Sequence, residues 1–499
     1  MKRHDLDIER RHLLRTAMGG LIGFLASGLP PSRVGAPHAH AAVVSPNPIG
    51  ARIQKSGVAV EIADLAKPPA SSTARPYAAL NYLYHAGDGS RRLFACDSRG
   101  KLWGIDPVSG AASLFLDVAK ARGSAFVTGQ QTGLRSFAFH PDFARSGRPG
   151  FGRLYTAHTE TAASRPASVK LFAMTSTIRV DHHNVVAEWR RGSDGSFSRR
   201  ELFRVAQYRP DHCLDQILFD PSLRPGQAGY GLMFVGLGDG GNTPAYPDQY
   251  NHAQNPARAL GKILRIDPLA ASGAAYRVPG DNPFVGRSGV LPEIWALGLR
   301  HPQNLSFDRG VAGRLIFTDI GQAWVEEVNI GVRGGNYGWP LREGTFATQR
   351  GDEDILHTLP ADDTWRFPGD ATKRPFVYPV AQYDRSEAFD AQGRPFGSDR
   401  LGIAGGFVYR GSAIPALAGH YVCGDLVNGR IFHVPASQLK LGAVAQLREL
   451  TLKRNGQVVT LRQVVGLSER VDLRFGEGED GALYVLTKQD GKIRRLRAA

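Results

Sequence analysis

Short apolar runs, each cut off by Gly, Asp or Pro, recur along the chain from about residue 78 to its C-terminus. They are too brief and too rich in Val, Ile, Tyr and Phe for helices, so they predict strands. A larger unit repeats among them. It is an apolar-aromatic strand, a turn carrying Gly, Asp or Pro, and a second strand with an aromatic residue near its centre. Leu93-Phe94, Leu154-Tyr155, Met233-Phe234, Ile316-Phe317, His420-Tyr421 and Leu483-Tyr484 mark the second strand. Phe139, Phe219, Phe307 and Phe475 mark its upstream partner, with Tyr84 and Phe407 as weaker members. Successive second-strand aromatics are 61, 79, 83, 104 and 63 residues apart, room each time for one four-stranded sheet and its loops. Six such antiparallel sheets set radially predict an all-β, six-bladed β-propeller, whereas two β-sandwiches would share the hairpins only by composition. A propeller brings loops distant in sequence to one central channel.

Composition agrees with this and narrows the partners. With 59 Gly and 31 Pro, turns are plentiful, and 42% hydrophobic residues suit an ordinary soluble core. The formal charge of +15 comes from scattered Lys and Arg rather than from a basic run interleaved with aromatics. A basic surface favouring anionic ligands is therefore expected, and nucleic-acid binding is not. Cys96, Cys213 and Cys423 are widely spaced, which argues against a zinc site and allows one disulfide at most. At the N-terminus, Arg10-Arg11 with Leu13-Leu14 precedes a weakly apolar, glycine-broken stretch, and Ala39-His40-Ala41 offers small residues for cleavage. This pattern resembles a twin-arginine export signal over residues 1–41. It predicts a periplasmic or secreted mature domain over 42–499 with no stable membrane insertion. No linker divides that domain, and a long loop insertion is expected around 341–400. The acids Asp352, Glu353, Asp354, Asp362 and Asp363 fall within this insertion and read as a solvated loop rather than a calcium site.

Four stretches carry candidate chemistry. His212, in the turn Arg209-Pro210-Asp211-His212 before an apolar strand, is placed as a general base, with Asp211 beside it. Arg300 ends another apolar strand just before a proline turn, where a guanidinium can reach a carboxylate. The glycine loops 319–328 and 334–340 expose carbonyls suited to a hard cation such as calcium.

Taken in order, these segments resemble the glucose/sorbosone dehydrogenases, soluble six-bladed propellers that use pyrroloquinoline quinone (PQQ). The motifs are FAFHPDF at 137–143, GLGDGG at 236–241, AQNP and LGKILRIDP within 253–268, and DNPF at 281–284. PEIWALGLRHPQ at 292–303, DIGQAWVEEVN at 319–329, GGNYGWP at 334–340, GGFVYRG at 405–411 and GALYVLTKQDGKIRRL at 481–496 follow. The resemblance implies that His212 takes the proton of a sugar's anomeric hydroxyl while hydride passes to the quinone. It places Gln131 near the substrate and Arg300 on a quinone oxygen. It assigns calcium to the backbone carbonyls of Gly321 and Gln322, and cofactor carboxylates to Arg470 with Arg474 nearby.

The chain also departs from the family. Small residues after the histidine become Leu214 and Asp215, whose bulk is expected to narrow the pocket. The asparagine that often follows the arginine is His301. A cofactor-binding lysine is replaced in the region of Val427 and Asn428, with Arg430 two residues on as its substitute. The activity implied is oxidation of an aldose or related sugar hydroxyl, with a quinone or cytochrome as external electron acceptor. A secreted binding propeller without redox cofactor and a calcium-dependent hydrolase on the same scaffold are the competing readings.

Overall fold

The computed structural model describes residues 42–129, 131–174, 178–241, 251–269, 273–349, 352–389, 401–467 and 470–499. The proposed export signal, 1–41, lies outside them. Residues 42–499 form one compact all-β unit.

Each hairpin expected from the aromatic markers is present, and each begins a run of four antiparallel strands. In the first run, Leu80–His85, Leu93–Asp97, Lys101–Ile105 and Ala112–Asp117 follow one another. Tyr84 lies opposite Phe94 there, as Phe139 lies opposite Leu154 and Phe219 opposite Met233 in the next two runs. Those two runs start at Ser136–Phe139 and Leu214–Phe219, and the later ones at Asn304–Phe307, Ile403–Val408 and Leu473–Glu477. The last run borrows its fourth strand from the other end of the chain. Gln54–Ala66 pairs antiparallel with Lys492–Ala498, Ile62 opposite Leu496, so the two ends of the unit are held in one sheet.

The initial strands contact one another in a cycle. Leu80–His85 lies against Ser136–Phe139, which meets Leu214–Phe219, then Asn304–Phe307, Ile403–Val408 and Leu473–Glu477, and the last returns to Leu80–His85. Their close approach depends on small residues. A Cβ on Gly476 would come within 2.5 Å of the Leu83 side chain, so any larger residue there would push two neighbouring sheets apart.

The insertion differs from the expected loop. It carries a small sheet of Arg342–Glu343, Phe346–Gln349 and Asp352–His357, then the pair Thr364–Trp365 and Arg374–Pro375. It ends in Ala381–Asp384, which completes the fourth run against Val325–Ile330. Its acids are dispersed: Asp362 pairs with Lys373, and Asp363 with Arg342. All three cysteines are buried and free. Among the described residues no helix is long and apolar enough to cross a membrane.

Candidate active site

His212 occupies the turn between Phe197–Gln207 and Leu214–Phe219, and its φ of 48° is the left-handed conformation that side chains rarely adopt. Such a residue costs on the order of 1 kcal/mol and persists where its surroundings over-determine it. Here they do. Gln207 Nε2 donates to the carbonyls of Arg209, at 2.8 Å, and Asp211. Asn184 donates to Gln207 Oε1 at 2.6 Å and accepts the Leu214 N–H at 3.0 Å. The His212 N–H itself donates to Gln131 Oε1 at 2.8 Å. Opposite the turn stands Gly238, where a Cβ would fall 2.5 Å from the His212 carbonyl oxygen.

The carboxylate on the His212 ring belongs to Asp239, which corrects the expectation for Asp211. Nδ1 lies 2.7 Å from Asp239 Oδ1, while Asp211 pairs with Arg209 at 3.4 Å and is partly exposed. Asp239 is fully buried and also accepts from the Gly241 N–H at 2.9 Å and from Trp339 Nε1 at 2.7 Å. Burial opposes its charge, but His212, Arg300 and Trp339 outweigh burial and hold it below the usual carboxylate range. Being ionised, it must accept, so Nδ1 carries the ring proton and Nε2 keeps a lone pair. Burial, followed by the Arg300 charge, lowers the His212 pKa to about 4. The imidazole is therefore neutral, and able to take a proton, at neutral pH.

Leu214 and Asp215 do not obstruct this turn. Leu214 is packed in the core with Ile217 and Leu237. Asp215 is buried between Arg135, whose Nε donates to it at 2.6 Å, and His301, whose Nε2 bonds its other oxygen. The His301 ring lies on that of His212, centroids 4.5 Å apart and planes 19° apart. Arg300 turns its fork onto Gln322 Oε1, at 2.6 Å from Nη2, and onto the Ile320 carbonyl at 3.0 Å. Asp319 fixes the backbone beneath by accepting the N–H groups of Arg300 and His301. Gly321 fits only as glycine, since a Cβ would meet the Val325 carbonyl oxygen at 1.9 Å. Among the described residues no hydrogen bond ends on the Gly321 or Gln322 carbonyl oxygens, and no group of three or more His, Cys, Asp or Glu side chains is arranged to hold a metal.

His212 and His301 border a cavity of about 650 Å³ together with Gln131, Arg135, Arg470, Arg474 and Lys488. Arg430, the expected lysine substitute, is absent from its walls because Glu387 and Glu449 hold its guanidinium. The cation found instead is Lys488, from the final run of strands. Burial, then the neighbouring Arg474 and Arg135, drives its pKa well down. Burial likewise lowers Arg474 to about 10, and Arg135 Nη1 has no hydrogen-bond partner. Against these groups the described residues of the walls present one carboxylate, Asp472, which Arg470 already engages. Buried basic groups short of counter-charge fit a ligand with several carboxylates, as the tricarboxylic quinone PQQ is.

The glucose/sorbosone dehydrogenase pattern matches residues 86–360, more than half of the chain. This chain belongs to the Glucose / Sorbosone dehydrogenase family. It is 28% identical to HIPL1 protein of Arabidopsis thaliana over 467 residues, covering 84% of this chain and 61% of that protein. It is 27% identical to human Hedgehog-interacting protein over 406 residues, covering 81% and 48%. The chain thus spans about half to three fifths of the length of these relatives. The PQQ-bound aldose sugar dehydrogenase of Streptomyces coelicolor shares its fold, with a TM-score of 0.52 at 19% identity over 87% of this chain and 99% of that one.

Asp239, Arg135 and Lys488 were not singled out from the sequence, and Asp215 was read only as bulk in the pocket. Asp239 had a readable signal, an acid just after a strand in a Gly-rich loop; for Arg135 and Lys488 the sequence has no local mark.

Proposed function

We propose that this family member is a PQQ-dependent dehydrogenase that oxidises an aldose or similar sugar hydroxyl, on a six-bladed β-propeller closed by its N-terminal strand. The cycle of initial strands supports the blade number. The single observation carrying the activity is the His212–Asp239 pair at the border of a cavity with cationic walls.

Arg135, Arg470, Arg474 and Lys488 would hold the cofactor's carboxylates, and the unengaged carbonyls of Gly321 and Gln322 would ligate calcium. PQQ, when bound, supplies the hydride acceptor. The protein's own part is proton handling. His212 Nε2 takes the proton of the hydroxyl being oxidised, and Asp239 holds the ring in the tautomer that leaves Nε2 free. As that proton arrives, the Asp239 carboxylate neutralises the new charge, while Gln131 and Gln207 keep the turn from swinging away. Oxidation in the periplasm, export by the twin-arginine route and reoxidation by a quinone or cytochrome belong to the same proposal.

His212→Gln is expected to abolish sugar-dependent reduction of the quinone while PQQ still binds, as followed by its absorbance. Unchanged turnover would remove His212 from the role of base. The similarity to Hedgehog-interacting protein favours a second reading, a binding propeller without cofactor, for which PQQ would fail to bind at micromolar concentration. The hydrolase reading has less support, because among the described residues one carboxylate faces the cavity rather than an acidic cluster.

A further inference from the structure

His301 and Asp215, two of the departures from the family pattern, are partners, and together they build a second imidazole–carboxylate pair against the first. Asp215 is 2% exposed; burial opposes its charge, but Arg135 and His301 hold it ionised. It therefore accepts the His301 Nε2–H, which leaves Nδ1 as the ring nitrogen available to a ligand. No described hydrogen bond ends on that Nδ1, and the ring borders the same cavity as His212. The outcome is two nearly parallel imidazoles, 4.5 Å between centroids, each bonded through one ring nitrogen to a buried carboxylate.

Asp215 alone balances the charge of Arg135, so charge balance does not call for an imidazole at 301. An asparagine at 301 would offer both a donor and an acceptor. The imidazole, held by Asp215 through Nε2, has the single ring nitrogen Nδ1 left for the cavity. Hydroxyls on adjacent carbons stand closer together than the 4.5 Å between the ring centroids, so neighbouring hydroxyls of one ligand are the pair that two stacked rings can serve.

We propose that His301 is a specificity-determining residue: it accepts a hydrogen bond from the hydroxyl adjacent to the one His212 deprotonates, so that the site selects vicinal diols and disfavours substrates deoxygenated at that neighbouring carbon. This rests on the dehydrogenase reading for which hydroxyl reacts, and it adds the substrate class.

The test uses the full chain with three sugar pairs, D-glucose, D-galactose and D-ribose, each beside its 2-deoxy form. Histidine ring signals are followed by NMR without cofactor, and sugar-dependent reduction is measured in parallel on protein loaded with PQQ and calcium. At least one parent sugar should shift both the His212 and His301 signals and bind about 10-fold more tightly than its 2-deoxy form, one hydrogen bond's worth of discrimination. His301→Asn, which restores the residue common in the family, should reduce that ratio to near one while leaving the His212 shift in place. Equal binding of each parent and its deoxy form, a ratio unchanged in His301→Asn, or no shift with any sugar would overturn the proposal. Ring shifts with discrimination but no reduction of the quinone would instead sink the dehydrogenase reading and leave a diol-binding site. Reduction without discrimination would do the reverse.

Discussion

Asp239→Asn is expected to lower sugar-dependent turnover about 10³-fold, with KM changed far less. The substitution keeps the volume of the side chain and an oxygen for Trp339, at the cost of the acceptor for the Gly241 N–H. What it removes is the charge on Nδ1. An amide can present its N–H₂ to the ring, which would place the imidazole proton on Nε2 and leave no lone pair toward the substrate. It also leaves the protonated ring, already disfavoured by burial and by Arg300, without its compensating carboxylate. Steady-state kcat and KM, with the thermal midpoint as a control on folding, decide the matter. A variant within tenfold of the parent would show that Asp239 does not orient the base.

Asp215→Ala is expected to destabilise the fold by about 3–5 kcal/mol, the cost of leaving a buried ion without its partner. Arg135 is 1% exposed, and Asp215 is the carboxylate that compensates it. His301 would lose the group that fixes its proton, so one substitution loosens three neighbouring sheets at once. Asp215→Asn should cost less, since it keeps hydrogen-bonding capacity for both neighbours. Urea unfolding with a common m-value measures the difference. A loss below about 1 kcal/mol for the alanine variant would mean that Arg135 finds water or another partner.

The hairpins were legible because each buries an aromatic residue at a fixed place, and that regularity survives irregular spacing. The last strand of the fourth run was not. Ala381–Asp384 reads Ala-Gln-Tyr-Asp, with no run of its own, and its partner Val325–Ile330 lies on the far side of the insertion. Nor did any local signal join Gln54–Ala66 to the C-terminal strand, since that contact closes nearly the whole length of the unit.

Within the site, His212 could be read from its turn, whereas its carboxylate needed the register of one hairpin. Leu214 pairs with Leu237, so His212, two residues before that pair, faces Asp239, two residues after it. Given the register, Asp239 follows, and Asp211, adjacent in sequence, is turned outward to Arg209. The Arg135–Asp215–His301 contact demands more. Its members stand at the starts of three initial strands, and only the order in which those strands neighbour one another brings them together. Lys488 and Arg430 exchanged roles for a similar reason. A cation close in sequence to the family's lysine is consumed by Glu387 and Glu449, while one from the last run of strands faces the cavity.

The central claim is that this cavity holds a quinone which a sugar reduces with His212 as base. The most direct measurement is the absorbance spectrum of the purified chain reconstituted with PQQ and calcium, then mixed with a panel of aldoses. Conversion of the bound quinone to its reduced form by at least one sugar, lost in His212→Gln, is the predicted result; failure of PQQ to bind at micromolar concentration, or binding with no reduction by any aldose, would contradict it.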